Sequence, residues 1–270
     1  MEAFVSRVET WRRLPFDGGW GDRHVVQSDA LSRLVTTPTL WWHWTDGAAI
    51  ILGAGQTRVG VDVEACAAAG VRVTKRSSGG TTVYADPALL GLDVALPPRH
   101  PLLRDDVVAS YRWVGEVWVQ TLDLLGVSGH LVSIEEARAQ SRLRQPTETI
   151  LRIACFGSIS PYEVLVNGRK LVGLSQVRRA GRVLFQSGIH LRFEANDLTK
   201  LLSIPDRALA ARQLQEVATD LNSAAGREIS RGEIVGAFSI ILHDRLGVIE
   251  SEGEWTAEEL AYTNRNEQNS

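Results

Sequence analysis

The sequence predicts a mixed α/β chain of the α+β kind, with a mixed central β-sheet flanked by helices. Three observations predict it. Segments with apolar residues at helical spacing alternate along the chain with short β-branched and aromatic runs, so strands and helices are expected to share a core. Two of the β-rich runs flank Asn167-Gly168, a pair that favours the positive φ of a tight hairpin. No linker, internal repeat or low-complexity stretch divides the 270 residues, 44% apolar and 23% charged, so one domain over 1–270 is expected.

Residues 25–36 (VVQSDALSRLVT) carry apolar side chains at helical spacing and stop before Pro38, which cannot continue a helix. Two β-rich runs follow, 39–44 and 48–52, and the Thr45-Asp46-Gly47 turn between them predicts a hairpin. Residues 60–69 predict a helix stopped by Gly70, and 71–74 a strand. Residues 75–86 (KRSSGGTTVYAD) form a hydroxyl- and glycine-rich loop, and 89–96 is an apolar strand ended by Pro97-Pro98. The clearest helix is 105–125, with Val108, Tyr111, Val114 or Gly115, Trp118 and Leu122 on one face and Gly126 at its end. Large aromatics on a helix face serve packing more often than cofactor binding, so this stripe is assigned to the core. Residues 133–149 are polar and without clear periodicity, as in a loop beside a site. A three-stranded meander is expected from 162–166, 170–174 and 183–191, turning at Asn167-Gly168 and Ala180-Gly181. Helices follow over 206–224, on a stripe of Leu209, Leu214, Val217 and Leu221, and over 230–246, where Ser230 with Glu233 reads as a capping pair. From Ser251 the chain is polar, and a frayed tail is expected.

Charge and composition narrow the function. The 29 Lys and Arg against 32 Asp and Glu leave a net charge of −3, no field for a phosphate polymer, so nucleic acid is not an expected partner. The N-terminal segment MEAFVSRVETWRRLPFDGGW lacks the apolar core of a secretion signal. The apolar stretches at 41–44 and 48–54 fall far short of the ~20 residues that span a bilayer, so a cytoplasmic protein with no membrane partner is expected. Two cysteines are too few for a disulfide framework or a four-cysteine zinc site. The six histidines, His24, His43, His100, His130, His190 and His243, show no i, i+4 spacing, and no metal is expected. Walker-type and G-x-G-x-x-G loops are absent.

Two segments can carry chemistry. In the 75–86 loop, adjacent Gly79 and Gly80 let backbone approach a ligand closely, while Lys75 and Arg76 supply charge for an anionic or carbonyl-bearing group. The same composition also suits an exposed turn. Cys66, on a small-residue helix, is most simply a packing residue. Cys155 stands beside a turn-rich loop, where a working thiol and an inert buried one are both compatible with the composition. The meander can bring Lys170, fifteen positions later, towards it. An ammonium stabilises a thiolate and hydrogen-bonds a carbonyl, which suits acyl transfer; a solvated hairpin lysine is the alternative.

Together these segments resemble the lipoate-protein ligase and octanoyltransferase family, whose catalytic domain is shared with biotin-protein ligases. IILGAGQ at 50–56 is similar to the family's strand and glycine-glutamine turn, and VRVTKRSSGGTTVYAD to its acyl-binding loop. YEVLVNGRKLVGLSQVRRAGRVLFQSGI resembles its lysine hairpin, and AAGREISRGEIVGAFSIILHDRLGV its closing helices, so the likeness runs from about residue 25 to 249. The resemblance implies a biotin/lipoate protein ligase catalytic domain-like fold, with an acyl chain in a tunnel between the loop and the hairpin. It implies that Lys170 touches the acyl carbonyl and that Arg76, Ser78, Gly79, Gly80 and Thr81 belong to the loop covering the acyl group. Gly173, Ser175, Gln176 and Gly188 match positions around the pocket. Cys155, with C-F ahead of Y-E-V, falls where the cysteine-dependent octanoyltransferases and lipoyl amidotransferases place their nucleophile.

Thr81 and Ala85 stand where the family's loop usually has a third glycine and a histidine. The chain also ends about twenty residues after the closing helices, leaving no room for the accessory domain of many lipoate ligases. Both departures point away from ATP, and no cofactor is expected. The implied activity moves an octanoyl or lipoyl group from a carrier to a lysine of a lipoyl domain through a Cys155 thioester. Acyl carrier protein or glycine cleavage H protein is the implied donor, and a monomer is expected. The alternatives are an ATP-dependent lipoate-protein ligase catalytic domain working with a separate accessory chain, and a non-catalytic acyl-binding relative. A biotin ligase would carry a G-R-G-R-type loop, which this chain lacks.

Overall fold

The computed structural model describes residues 8–143 and 149–267. In chain order its elements are β1 (Glu9–Arg13), β2 (Asp17–Gly19), α1 (Gly21–Leu34), β3 (Thr39–Thr45), β4 (Ala49–Leu52), α2 (Val63–Ala68), β5 (Arg72–Lys75), β6 (Val83–Ala85) and β7 (Leu89–Leu96). Then follow α3 (Arg112–Leu124), β8 (His130–Leu131), α4 (Ile134–Leu143), α5 (Thr149–Ile153), β9 (Val164–Val166), β10 (Arg169–Arg179) and β11 (Arg182–His190). The chain closes with α6 (Ala195–Thr199), α7 (Arg207–Val217), α8 (Leu221–Ala225), α9 (Arg231–Leu246), β12 (Val248–Glu252) and α10 (Ala257–Glu267).

A large mixed sheet runs β12-β1-β3-β7-β11-β10-β9-β8, with β2 paired on β3, and a small sheet runs β5-β4-β6. β7 is central and buried from Leu90 to Leu96, because it is paired on both edges and covered on both faces. One face packs on α3 and α9: Trp118, Leu122, Ile234 and Phe238 meet Trp42, Leu92 and Phe185. Trp42, Trp118 and Phe238 stand edge to face, with centroids 5.1–6.0 Å apart. The expected stripe is thus core from Tyr111 to Leu122, while Val108, ahead of the helix, is exposed. The opposite face meets α1, where Leu31 and Val35 pack on Trp41, Ala95 and Leu184. Beside α1 lies the small sheet, whose Ile50 and Leu52 form a second core with Leu198 and Leu214. Cys66 is buried in that core, and burial pushes its thiol pKa up.

Local turn chemistry is legible where it is self-contained. Asn167 and Gly168 take φ of 50° and 73°, Ala180 and Gly181 φ of 46° and 79°, so both turns of the meander β9-β10-β11 form as expected. Ser230 and Glu233 make a reciprocal capping box on α9.

Several expectations are corrected. β3 and β4 are not a hairpin; they lie in different sheets. Neither Asp46 nor Gly47 has positive φ, Asp46 N–H donates to Gly19 O at 2.8 Å, and a Cβ on Gly47 would lie 2.4 Å from the Trp20 ring. Packing against Trp20 therefore steers the chain from one sheet to the other. The helix expected from 105 begins at Ala109 as a 3-10 turn, because the Asp106 side chain accepts from Val108 and Ala109 N–H. Polar Ile134–Leu143 is helical, not a loop: Ser133 and Glu136 cap α4 reciprocally, an S-x-x-E signal present in the sequence. Residues 144–148 of that stretch lie outside the described residues. The helix expected over 206–224 breaks after Val217, because Thr219 N–H bonds to Lys170 O at 3.0 Å and Asp220 caps α8. The tail is ordered from 251 to 267, where β12 pairs in parallel with β1 and the Glu259 carboxylate of α10, 2% exposed, takes both Nη atoms of Arg12. Its polarity reflects ion pairing, and apolar periodicity cannot register that. Among the described residues, no helix is long and apolar enough to cross a membrane.

Candidate active site

Residues opposite one another on neighbouring strands share a sheet face. Gly91 on β7 opposes Gly188 on β11, which opposes Gly173 on β10, while His43 on β3 opposes Gly91. Three glycines in register leave a lane across the sheet without side chains. The next row, Trp41, Asp93, Gln186 and Ser175, walls that lane. A cavity of about 180 Å³ lies on this floor. α1 roofs it with His24, Val25 and Ser28, the small sheet contributes Ile51 and Val83, and the loop contributes Arg76, Gly80 and Thr81.

Cys155, Phe156 and Ser158 close one end. Cys155 opens a single 3-10 turn, tied to the loop by its own N–H donating to Thr82 O at 2.7 Å and by Thr82 N–H donating to Ile153 O at 2.8 Å. Gln56 braces the same junction: its Oε1 accepts from Gly53 N–H and Thr82 Oγ1, and its Nε2 donates to Ile153 O. Gly53 is required here, since a Cβ would lie 2.0 Å from Gly80 O.

Lys170 reaches the same end. A register shift between Lys170 and Val172 bulges β10, so Lys170 and Gly173, which would face opposite ways in a regular strand, share a side. A Cβ on Gly173 would lie 3.6 Å from Lys170 Nζ and 3.7 Å from Cys155 Sγ. Lys170 and Glu163 are each 2% exposed in their side chains, with Nζ to Oε1 at 2.7 Å. Nζ also donates to Cys155 O and Ser158 O, both at 2.9 Å. The Glu163 carboxylate further accepts from Leu174 N–H at 3.1 Å and Ser160 N–H at 2.7 Å. One buried ion pair thus holds the backbone from Cys155 to Ser160 and ties it to β10 at Leu174.

Arg76 is buried in the loop, donating from Nη1 to Ile51 O and from Nη2 to Gly79 O and Thr81 O. Burial lowers its pKa from the usual arginine value, while neighbouring Cys155 raises it. Its charge therefore shapes the loop and stands close to the thiol, while Lys75 is exposed. Of the residues singled out in the sequence, Arg76, Gly80, Thr81, Cys155, Lys170, Gly173, Ser175 and Gly188 line the cavity. Ser78 accepts from Ser175 Oγ at 3.4 Å and Gly79 O holds Arg76, both behind the lining. Gln176 stands on the opposite face of β10, donating to Val107 O at 2.7 Å.

Sequence reasoning missed several residues. Glu163 had no local signal, since its partner is Lys170 across a hairpin. Gln56 lay within IILGAGQ but was not singled out. No sequence spacing connects the histidines, yet His24 and His43 meet with ring centroids 5.0 Å apart, and His43 Nε2 lies 3.7 Å from Asp93 Oδ1. Burial, then His43 and Arg23, lowers the His24 pKa to about 2. Among the described residues, no three His, Cys, Asp or Glu form a metal-binding group.

Residues 26–239 match the lipoyl protein ligase A/B catalytic domain. The octanoyltransferase LipM of Kyrpidia tusciae is 32% identical over 261 residues, covering 93% of each chain. That of Brevibacillus brevis is 26% identical over 262 residues, covering 94% of this chain and 93% of its own. A bipartite lipoate protein ligase from Thermoplasma acidophilum superposes with a TM-score of 0.76 at 18% identity, over 97% of this chain and 93% of its own. At that identity the likeness speaks for the fold alone.

Proposed function

The chain belongs to the lipoyl protein ligase A/B catalytic domain family, and on that premise we propose that it is an octanoyltransferase working through a Cys155 thioester. The octanoyltransferase relatives, matched over nearly their whole length, support the acyl group. The observation that carries the mechanism is the convergence of Cys155 Sγ and Lys170 Nζ on Gly173, at the end of a lane floored by glycines.

In the first step Cys155 Sγ attacks the thioester carbonyl of an acylated carrier protein. The new carbon–sulfur bond replaces the carrier's, and the carrier thiol leaves with the proton. In the second, the ε-amine of a lipoyl-domain lysine attacks the Cys155 thioester, an amide forms, and the thiol is restored. The first step exchanges like for like and the second runs downhill, so no nucleotide is needed with acyl carrier protein as donor. With a lipoylated or octanoylated H protein as donor, the first step would break the donor's amide to form the Cys155 thioester and release the donor lysine, and the two steps together would amount to an amide exchange.

Lys170 has a defined part in this scheme. Its three donors are engaged in the resting protein by two carbonyls and one carboxylate. As negative charge develops on the acyl oxygen, that oxygen becomes a stronger acceptor than a neutral carbonyl, and Nζ can exchange one for the other. Donors of this kind are worth ~3 kcal/mol in the transition state.

The test is intact-mass spectrometry after incubation with octanoyl carrier protein, and separately with octanoylated H protein, without ATP. Wild type should gain one octanoyl group and Cys155→Ala none. An adduct that persists in Cys155→Ala, or wild-type turnover by Cys155→Ser, refutes the covalent route.

A further inference from the structure

The end of the lane opposite Cys155 is closed by polar rings. A Cβ on Gly91 would lie 2.4 Å from His43 Cε1, so the His43 ring lies directly over the last glycine of the floor. Behind it stands His24, 5.0 Å away between ring centroids, and beside it Asp93, 3.7 Å from His43 Nε2. Among the described residues, neither nitrogen of His24, nor His43 Nε2, nor Asp93 Oδ2 has a hydrogen-bond partner. A hydrocarbon entering this corner would leave those groups buried and unsatisfied.

Length and chemistry coincide at this point. Gly173, beside Cys155 Sγ, and Gly91, beneath His43, are two strands apart, and at the ~4.8 Å spacing of paired strands that is about 9.5 Å. Seven carbon–carbon bonds of ~1.5 Å at tetrahedral angles advance ~1.25 Å each, so an extended octanoyl chain spans about 9 Å from carbonyl to methyl. The methyl of an octanoyl group on Cys155 therefore arrives against the His43 ring, which leaves no room between itself and Gly91. Two further carbons would carry the chain end ~2.5 Å into it.

We propose that His43, backed by His24, is the end wall of the acyl lane and limits the acyl group to about eight carbons. The proposal rests on the reading of this lane as the acyl site. It makes His43 a specificity determinant with no part in bond making.

The test compares wild type with His43→Ala, His43→Val and His43→Phe, using hexanoyl, octanoyl, decanoyl and dodecanoyl carrier proteins. Adducts are quantified by intact mass. In parallel, stabilisation by free saturated fatty acids of the same lengths is read from thermal unfolding, which requires no transfer. Wild type should favour octanoyl over decanoyl at least tenfold. His43→Ala should raise the decanoyl-to-octanoyl ratio at least fivefold in both measurements, and His43→Phe, which keeps a ring over Gly91, should preserve the wild-type ratio. His43→Val removes the ring with a residue suited to a strand, and it takes the place of His43→Ala if that variant does not fold. If wild type is acylated but shortening His43 leaves the ratio unchanged, the end wall falls and the acyl site stands. If wild type is neither acylated nor stabilised by any of the acids, the acyl site falls, and the end wall with it.

Discussion

Glu163→Gln isolates the charge that holds Lys170. The substitution keeps shape and one acceptor, but it removes the counter-ion from an ammonium whose side chain, like that of Glu163, is 2% exposed. It also replaces the oxygen that accepts from Ser160 N–H at 2.7 Å with an atom that must either clash as a donor or rotate away. Breaking one side of a buried pair costs about 3–5 kcal/mol, because the remaining charge stays buried and uncompensated. For a chain of this size, at ~2–4 °C per kcal/mol, the melting temperature should fall by roughly 6–20 °C. Urea unfolding followed by tryptophan fluorescence measures the first quantity, and intact-mass acylation measures the consequence for Cys155, whose carbonyl Lys170 holds. The double variant Glu163→Leu with Lys170→Met separates the two effects. Replacing a whole buried pair by apolar side chains is often neutral or stabilising, so this variant should regain stability while acylating roughly a hundredfold more slowly than wild type. A Glu163→Gln protein that loses under ~1 kcal/mol and acylates at the wild-type rate would refute the reasoning, since Lys170 would then not depend on Glu163.

Two further predictions rest on separate observations. Gly173→Ala puts a methyl 3.3 Å from Lys170 Cε and 3.7 Å from Cys155 Sγ; acylation should fall at least tenfold with stability changed by less than ~1.5 kcal/mol, and unchanged acylation would move the reacting carbonyl away from Gly173. Burial holds the His24 pKa at about 2 and the His190 pKa at about 3, against 6.5 for a free histidine. The unfolded chain then binds more protons below pH 6.5, so stability present above that pH is lost progressively as pH falls towards those folded values. At pH 5 the loss is about 2 kcal/mol for each ring. His24→Phe should reduce the difference in unfolding free energy between pH 7.5 and pH 5.0 by about that amount, and an unaltered difference would show that His24 takes up a proton in the folded protein.

The sequence by itself determined what short-range chemistry decides. Positive φ at Asn167-Gly168 and Ala180-Gly181 settles two turns of the meander, a capping box starts α9, and β7 ends at paired prolines. The same locality made the loop at 75–86 and the Cys155–Lys170 hairpin visible as places for chemistry, and the ordered motifs identified the family. Tertiary structure decided whatever depends on which strands become neighbours. Asp46-Gly47 looks like a hairpin turn, but Trp20 packs against it and β3 and β4 part company. The α7–α8 break follows from Thr219 bonding to Lys170 O, a partner on another element. Gly91, Gly173 and Gly188 become one floor only when β7, β11 and β10 align in a particular register, because a one-residue slip would turn each to the other face. His24, His43 and Asp93 come from a helix and two strands, so no spacing in the chain could connect them. Side-chain period and turn propensity act over a few residues, whereas a site is the sum of pairings between distant ones, and only the folded sheet carries that information.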